Sequence, residues 1–146
     1  MQRILLKAEQ LLTLAAPAMQ EAAAAHHSVC SPALVRAGVK LSRGANYRQL
    51  PYRVLDFPRH FGPDGFFAIR SMFWWGNFFS STLLLSGAYK IAYTEPLVTA
   101  LPMLREEGYY TCVAEDPWQH SFEPTNYRSL QEYSDAAIVQ HWQQHP

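Results

Sequence analysis

Residues 66–86 read FFAIRSMFWW, GN, FFSSTLLLS: two aromatic and aliphatic runs, Phe66 to Trp75 and Phe78 to Ser86, separated by Gly76-Asn77. Two turn-forming residues between β-rich runs are the strongest short-range hairpin signal a sequence carries. With Gly76 and Asn77 as the whole loop, Trp75 faces Phe78, Trp74 faces Phe79 and Arg70 faces Leu83. Side chains alternate along a strand, so Arg70, Met72 and Trp74 then share a face with Phe79, Ser81 and Leu83, while Ile69, Ser71 and Phe73 share the other with Phe78, Ser80 and Thr82. Neither face is freely polar, and both are expected to be at least partly covered.

Upstream, Leu50 to Phe57 reads as a preceding strand. Pro51 and Pro58 cannot donate to a ladder, which favours an edge position or a bulge. Gly62-Pro63-Asp64-Gly65 makes the turn into the hairpin, and Lys40 to Tyr47, polar with Gly44 and Asn46, reads as a loop. At the N-terminus Ile4, Leu5, Ala8, Leu11, Leu12, Ala15 and Met19 recur at helical spacing, with Pro17 as an expected kink; Ser31-Pro32 starts a short helix to about Ala37. Downstream, Pro96 begins a helix carrying Leu97, Ala100, Leu101 and Leu104, with Pro102 a cost inside it. Tyr109 to Glu115 is a β-rich run, and Thr125 or Asn126 can cap a last helix. The expectation is one α+β domain over residues 1–146. Its small antiparallel-to-mixed sheet is a three-strand meander plus a fourth strand after a crossover helix, packed with N-terminal, central and C-terminal helices.

Composition narrows the function classes. The 146 residues are 49% hydrophobic, 16% charged and 14% aromatic, which suits a folded chain with more large rings than a minimal core needs. Net charge is zero, but residues 1–70 hold nine Lys/Arg against four Asp/Glu, and residues 71–146 hold three against eight. A balanced total argues against a nucleic-acid partner, and the basic run Arg36, Lys40, Arg43, Arg48, Arg53 and Arg59 reads as a solvated face. Two distant cysteines, Cys30 and Cys112, imply neither a disulfide framework nor zinc. With no stretch reading as a signal peptide or membrane span, a soluble cytoplasmic protein without a membrane partner is expected.

No stretch carries a phosphate loop, a nucleophile elbow or fixed metal-ligand spacing, so no cofactor and no metal are expected. Two groups at strand ends are candidates for chemistry: Asp56 with Arg59 and His60, and Glu115, Asp116, Trp118 and His120. Acids with histidines there could serve as general acid and base; the plainer reading makes Asp116 before Pro117 a turn residue and His120 a surface residue. His141 and His145 are four apart, as metal-binding histidines can be, but sit where a helix end explains them. Trp74, Trp75, Tyr109, Tyr110 and Trp118 are candidate pocket-lining aromatics. Arg70, the one charged residue in the hairpin strands, is their polar anchor: it must reach water at an edge or pair with Asp56, Glu115 or Asp116. The leading expectation is a small-molecule-binding or interaction protein with an aromatic-lined pocket. The alternatives are an enzyme using Asp56, Glu115, Asp116 and His120, and a homo-oligomer with an aromatic interface.

Overall fold

The computed structural model describes residues 1–145, which fall into two compact units, Met1–Leu85 and the chain from Ser86 onward. The class is α+β, with a four-stranded antiparallel sheet in the first unit and a two-stranded one in the second. No helix among the described residues is long and apolar enough to cross a membrane.

The first unit opens with α1 (Gln2–Ala25), which runs through Pro17 as one helix, and α2 (Pro32–Arg36), begun by its proline as the Ser-Pro pair implies. Four strands follow in simple up-and-down order, β1 (Lys40–Tyr47), β2 (Leu50–Gly62), β3 (Gly65–Trp74) and β4 (Phe78–Leu85). Leu12, Ala16 and Ala23 of α1 bury against Leu55 and Phe57 of β2, joined by Met19, Val35 and Val39. Each large apolar side chain so buried stabilises the fold by roughly 1.5–3 kcal/mol.

Three details of this unit differ, in whole or in part, from the sequence reading. Lys40–Tyr47 is a strand and not a loop. It joins β2 through a two-residue turn at Arg48 and Gln49, both at positive φ (50° and 66°), a conformation whose usual Asn-Gly signature is missing here. Gly44 in β1 looked like a loop residue because its role is steric: a Cβ there would lie 1.9 Å from the Tyr52 ring opposite.

The hairpin is present, but its register is one residue off. Trp74 pairs with Phe78, Phe73 with Phe79 and Arg70 with Thr82, leaving Trp75, Gly76 and Asn77 as a three-residue connection. The Asn77 N–H donates to the Trp74 carbonyl at 3.0 Å, and Gly76 holds φ +71° at the third turn position. A slip of one residue turns every β4 side chain over. Phe78, Ser80, Thr82 and Leu84 therefore share the face of Arg70, Met72 and Trp74, and Phe79, Ser81 and Leu83 lie on the opposite one.

Finally, β2 is an interior strand and not an edge, and Pro58 sits in a bulge, the other arrangement expected: pairing steps from Asp56–Arg70 to Arg59–Ala68, so Phe57 and Pro58 together oppose Ile69.

The second unit comprises α3 (Gly87–Thr99), α4 (Leu101–Glu106), β5 (Tyr110–Cys112), β6 (Tyr127–Ser129), a 3-10 turn at Leu130–Glu132 and α5 (Asp135–Gln144). The segment after Gly87 is helical, and Pro102 starts α4 instead of straining a single longer helix, because a first-turn position needs no N–H. The strand expected to join the main sheet, β5, pairs antiparallel with β6 in its own sheet, Thr111 opposite Arg128. The cap of the last helix is Ser134, whose hydroxyl accepts the Ala137 N–H at 3.2 Å; Asn126 instead donates to the Ser121 carbonyl. Leu101, Leu130 and Ile138 form this unit's core with Leu104, Tyr133 and Trp142 around them.

Candidate functional site

In the first unit, the β2–β3 register sets Asp56 directly across from Arg70. Arg70 Nε donates to Asp56 Oδ1 at 2.8 Å and Nη2 to Oδ2 at 2.9 Å, a two-pronged pair in which the carboxylate side chain is 5% and the guanidinium 18% exposed. Both carboxylate oxygens are engaged, so Asp56 is arranged to hold a cation in place. Trp74 belongs to a packed cluster with Val54 and Met72. Its indole N–H donates to the Tyr47 carbonyl at 3.1 Å, and its ring meets Tyr47 and Phe78 edge-on at 4.9 and 5.6 Å. Trp75 sits in the hairpin connection, half-buried. Arg59, beyond the bulge, donates to the carbonyls of Ala37 and Gly38, tying β2 to the end of α2.

A second ionic group ties α1 to the sheet. Glu9 accepts from Arg43 Nε at 2.9 Å and from Arg53 Nε at 3.0 Å. The Arg43 hydrogen bonds are the largest effect, and with the Arg43 charge and the Arg53 contacts they outweigh burial and hold its carboxyl below the usual carboxylate range.

The second unit holds the remaining sequence candidates. Tyr109 and Tyr110 are about half exposed, and Tyr110 meets Phe122 edge-on at 5.4 Å, which in turn stacks on Tyr127 at 5.0 Å. Trp118 is exposed, as are Glu115 and Asp116. Asp116 makes a turn: Oδ1 accepts the Trp118 N–H at 2.9 Å and Oδ2 accepts Gln119 Nε2 at 3.0 Å. These bonds, with a smaller contribution from His120, hold its carboxyl below the ordinary range. His120 is buried, not on the surface, beside the buried Ser121.

Cysteine chemistry finds little support. Burial pushes the Cys112 thiol pKa up and Asp116 adds to it, outweighing the opposing effect of the Ala114 backbone. His141 Nε2 approaches the Cys112 carbonyl at 2.8 Å, a contact that requires the proton on that nitrogen and leaves the sulfur unactivated. His141 and His145 do meet, with ring centres 4.9 Å apart. No group of three or more His, Cys, Asp or Glu able to hold a metal ion stands together among the described residues.

The feature that the sequence reading missed is a hollow of about 330 Å³ in the first unit, open on one side, where the end of α1 meets α2 and β2. Ala23, Ala24, Pro32, Val35 and Phe57 supply apolar wall, and Gln20, His27 and Cys30 supply polar atoms. Desolvation raises the Cys30 thiol pKa, keeping it protonated. The sequence signal for this space is the run Ala22–Ala25, side chains too short to fill the gap between a helix and a sheet.

No protein-family profile matches the chain, and no curated protein or solved structure matches it either.

Proposed function

We propose that the protein binds a small, mainly apolar molecule in the hollow at the end of α1, with Gln20 and His27 as the groups that orient a polar end. The observation that carries this reading is the hollow itself. Its volume lies at the lower end of the range of small-molecule sites, and its lining is apolar with a few polar atoms. Phe57 is its single aromatic, so the ligand expected here is aliphatic more than planar. The commitment of Asp56 to Arg70 and of Asp116 to its own turn favours binding over acid–base catalysis by those carboxylates. The free thiols Cys30 and Cys112 fit a reducing, cytoplasmic setting.

Thermal unfolding with a panel of medium-chain alcohols and carboxylates tests the proposal, because a ligand that prefers the native state raises its melting temperature. At least one member should raise it, and Ala24→Trp, which fills the hollow from an exposed helix position, should abolish the shift. Bound ligand should also slow alkylation of Cys30. A flat response across the panel, or a shift that survives Ala24→Trp, sinks the reading.

A second reading, a docking module, is favoured by the outer side of α1, where Ile4, Leu11 and Leu14 are 49%, 57% and 75% exposed. Contiguous apolar surface on a helix is a common protein-binding feature. Pull-down loss on Leu11→Glu/Leu14→Glu, with ligand shifts unchanged, would favour it over the hollow.

A further inference from the structure

We infer that β4 is a self-association edge, and that two copies of the chain pair antiparallel through it about a two-fold axis at Ser81. The sheet has two edges, and they differ in chemistry. Edge strand β1 carries Lys40 and Arg43 and is broken by a register shift between Gly44 and Tyr47, devices that keep an edge from pairing with another chain. The other edge, β4, has none of them: FFSSTLLL contains no charge and no proline, and its ladder to β3 is regular from Phe78 to Leu85. Among the described residues β3 is its only strand neighbour, and no further backbone hydrogen bond joins Phe79 to Leu85 to any of them. On one face of this edge Phe79 is 53% and Leu83 40% exposed.

The occupant follows from the strand's own pattern. A two-fold axis perpendicular to the sheet keeps each face on its own side, so residues brought opposite one another must have the same parity and their numbers must sum to an even value. Centred on Ser81, Phe79 meets the second copy's Leu83, Phe78 meets Leu84, Ser80 meets Thr82 and Ser81 meets itself. From Phe78 to Leu84 apolar meets apolar and hydroxyl meets hydroxyl; only Leu85, at the strand end, has no counterpart within the strand. Moving the centre to Ser80 or Thr82 sets Phe79 against Ser81, or Ser81 against Leu83. The hydropathy of residues 78–84 therefore reads the same in both directions about one residue, which favours a second copy of this strand. Charge points the same way. Residues 1–85 carry nine basic and four acidic side chains, a net of 9 − 4 = +5, and most of the basic ones on the sheet lie on β1 and β2. Approach through β4 keeps those like charges far apart, whereas approach through β1 would bring Lys40 and Arg43 together.

The pairing is independent of the ligand hollow, which lies at α1, α2 and β2. Sedimentation velocity over a concentration series should show wild type passing from monomer to dimer. Ser81→Lys, at an exposed position, would face its own copy across the axis and should leave a folded monomer at concentrations where wild type is dimeric. Register is read by cross-linking in a Cys30→Ser/Cys112→Ser background. Opposed Cα atoms in such a pair are about 4.5–5.5 Å apart, within disulfide reach, whereas the two copies of Leu83 lie roughly 14 Å apart. Ser81→Cys should therefore form a covalent dimer on mild oxidation and Leu83→Cys should not. A wild type that stays monomeric at its highest soluble concentration overturns the inference. So does a Ser81→Lys variant that remains dimeric, or cross-linking as ready at Leu83→Cys as at Ser81→Cys.

Discussion

The two units use their charged and polar side chains in opposite ways. In the first, ionic contacts join positions far apart in sequence: Glu9 reaches Arg43 and Arg53, and Asp56 grips Arg70 across a strand pair. In the second, many polar side chains serve backbone nearby. Asp116 caps its own turn, Ser129 accepts from Gln131 N and Ser134 from Ala137 N, and Asn126 donates to Ser121 O. Longer reaches occur there too: Arg105 spans from α4 to the carbonyls of Leu130 and Tyr133 and to the Asp135 carboxylate, His141 contacts the Cys112 carbonyl, and the Trp142 indole donates to the Thr111 hydroxyl. Loss of one group should therefore be costlier in the first unit than in the second. A long-range buried pair leaves its partner stranded when broken, whereas a local cap gives its partner back to water.

The largest effect expected from this contrast is at Arg70. Arg70→Met leaves the Asp56 carboxylate buried with its main cation gone and should cost about 3 kcal/mol or more in denaturant unfolding, whereas the paired replacement Arg70→Met/Asp56→Leu should recover much of the loss. A single-variant cost below about 1 kcal/mol would erase the distinction between the units. Next is Gly76→Val. Nothing lies within 4 Å of where its Cβ would be, so the expected loss of about 1–3 kcal/mol comes from backbone strain at φ +71° alone. Ser134→Ala, the removal of a local cap in the second unit, should cost about 1 kcal/mol; a loss matching that of Arg70→Met would break the comparison from the other side.

The smallest effect is read through pH. Glu9 has a folded-state pKa below its ordinary 4.5, so its ion pairs contribute fully above that value and are lost as pH falls through the lowered one. Wild type should therefore exceed Glu9→Gln in stability at neutral pH, and the two urea midpoints should converge as acid is added below 4.5. A gap that stays constant through that range would mean that Glu9 acts by packing.

The Arg70 pair was legible in sequence because one guanidinium stood among apolar strand neighbours, although the sequence left three carboxylates as partners. The hairpin was legible from Gly76-Asn77, but its loop length was not: Trp75 has the strand preference of its neighbours, and only the tertiary ladder excludes it. β1 left almost no trace, since Arg48-Gln49 resembles no standard hairpin turn and Gly44 resembles a loop. Polarity alone could not show that His120 would be buried. The hollow was the hardest to foresee, because it is defined by atoms that Ala23 and Ala24 lack and by how α2 docks on β2.

Gly44 and Tyr52 form a close-fitting pair across the β1–β2 ladder. Any side chain at 44 would have to displace the Tyr52 ring, whereas a smaller residue at 52 would leave room for it. The same fit governs assembly of the β1–β2 hairpin. A β1 slipped by two residues would keep its faces but bring Ser42 or Asn46 under the ring, and neither leaves room for it. One glycine thus favours the observed alignment of β1 on β2 over its two-residue slips.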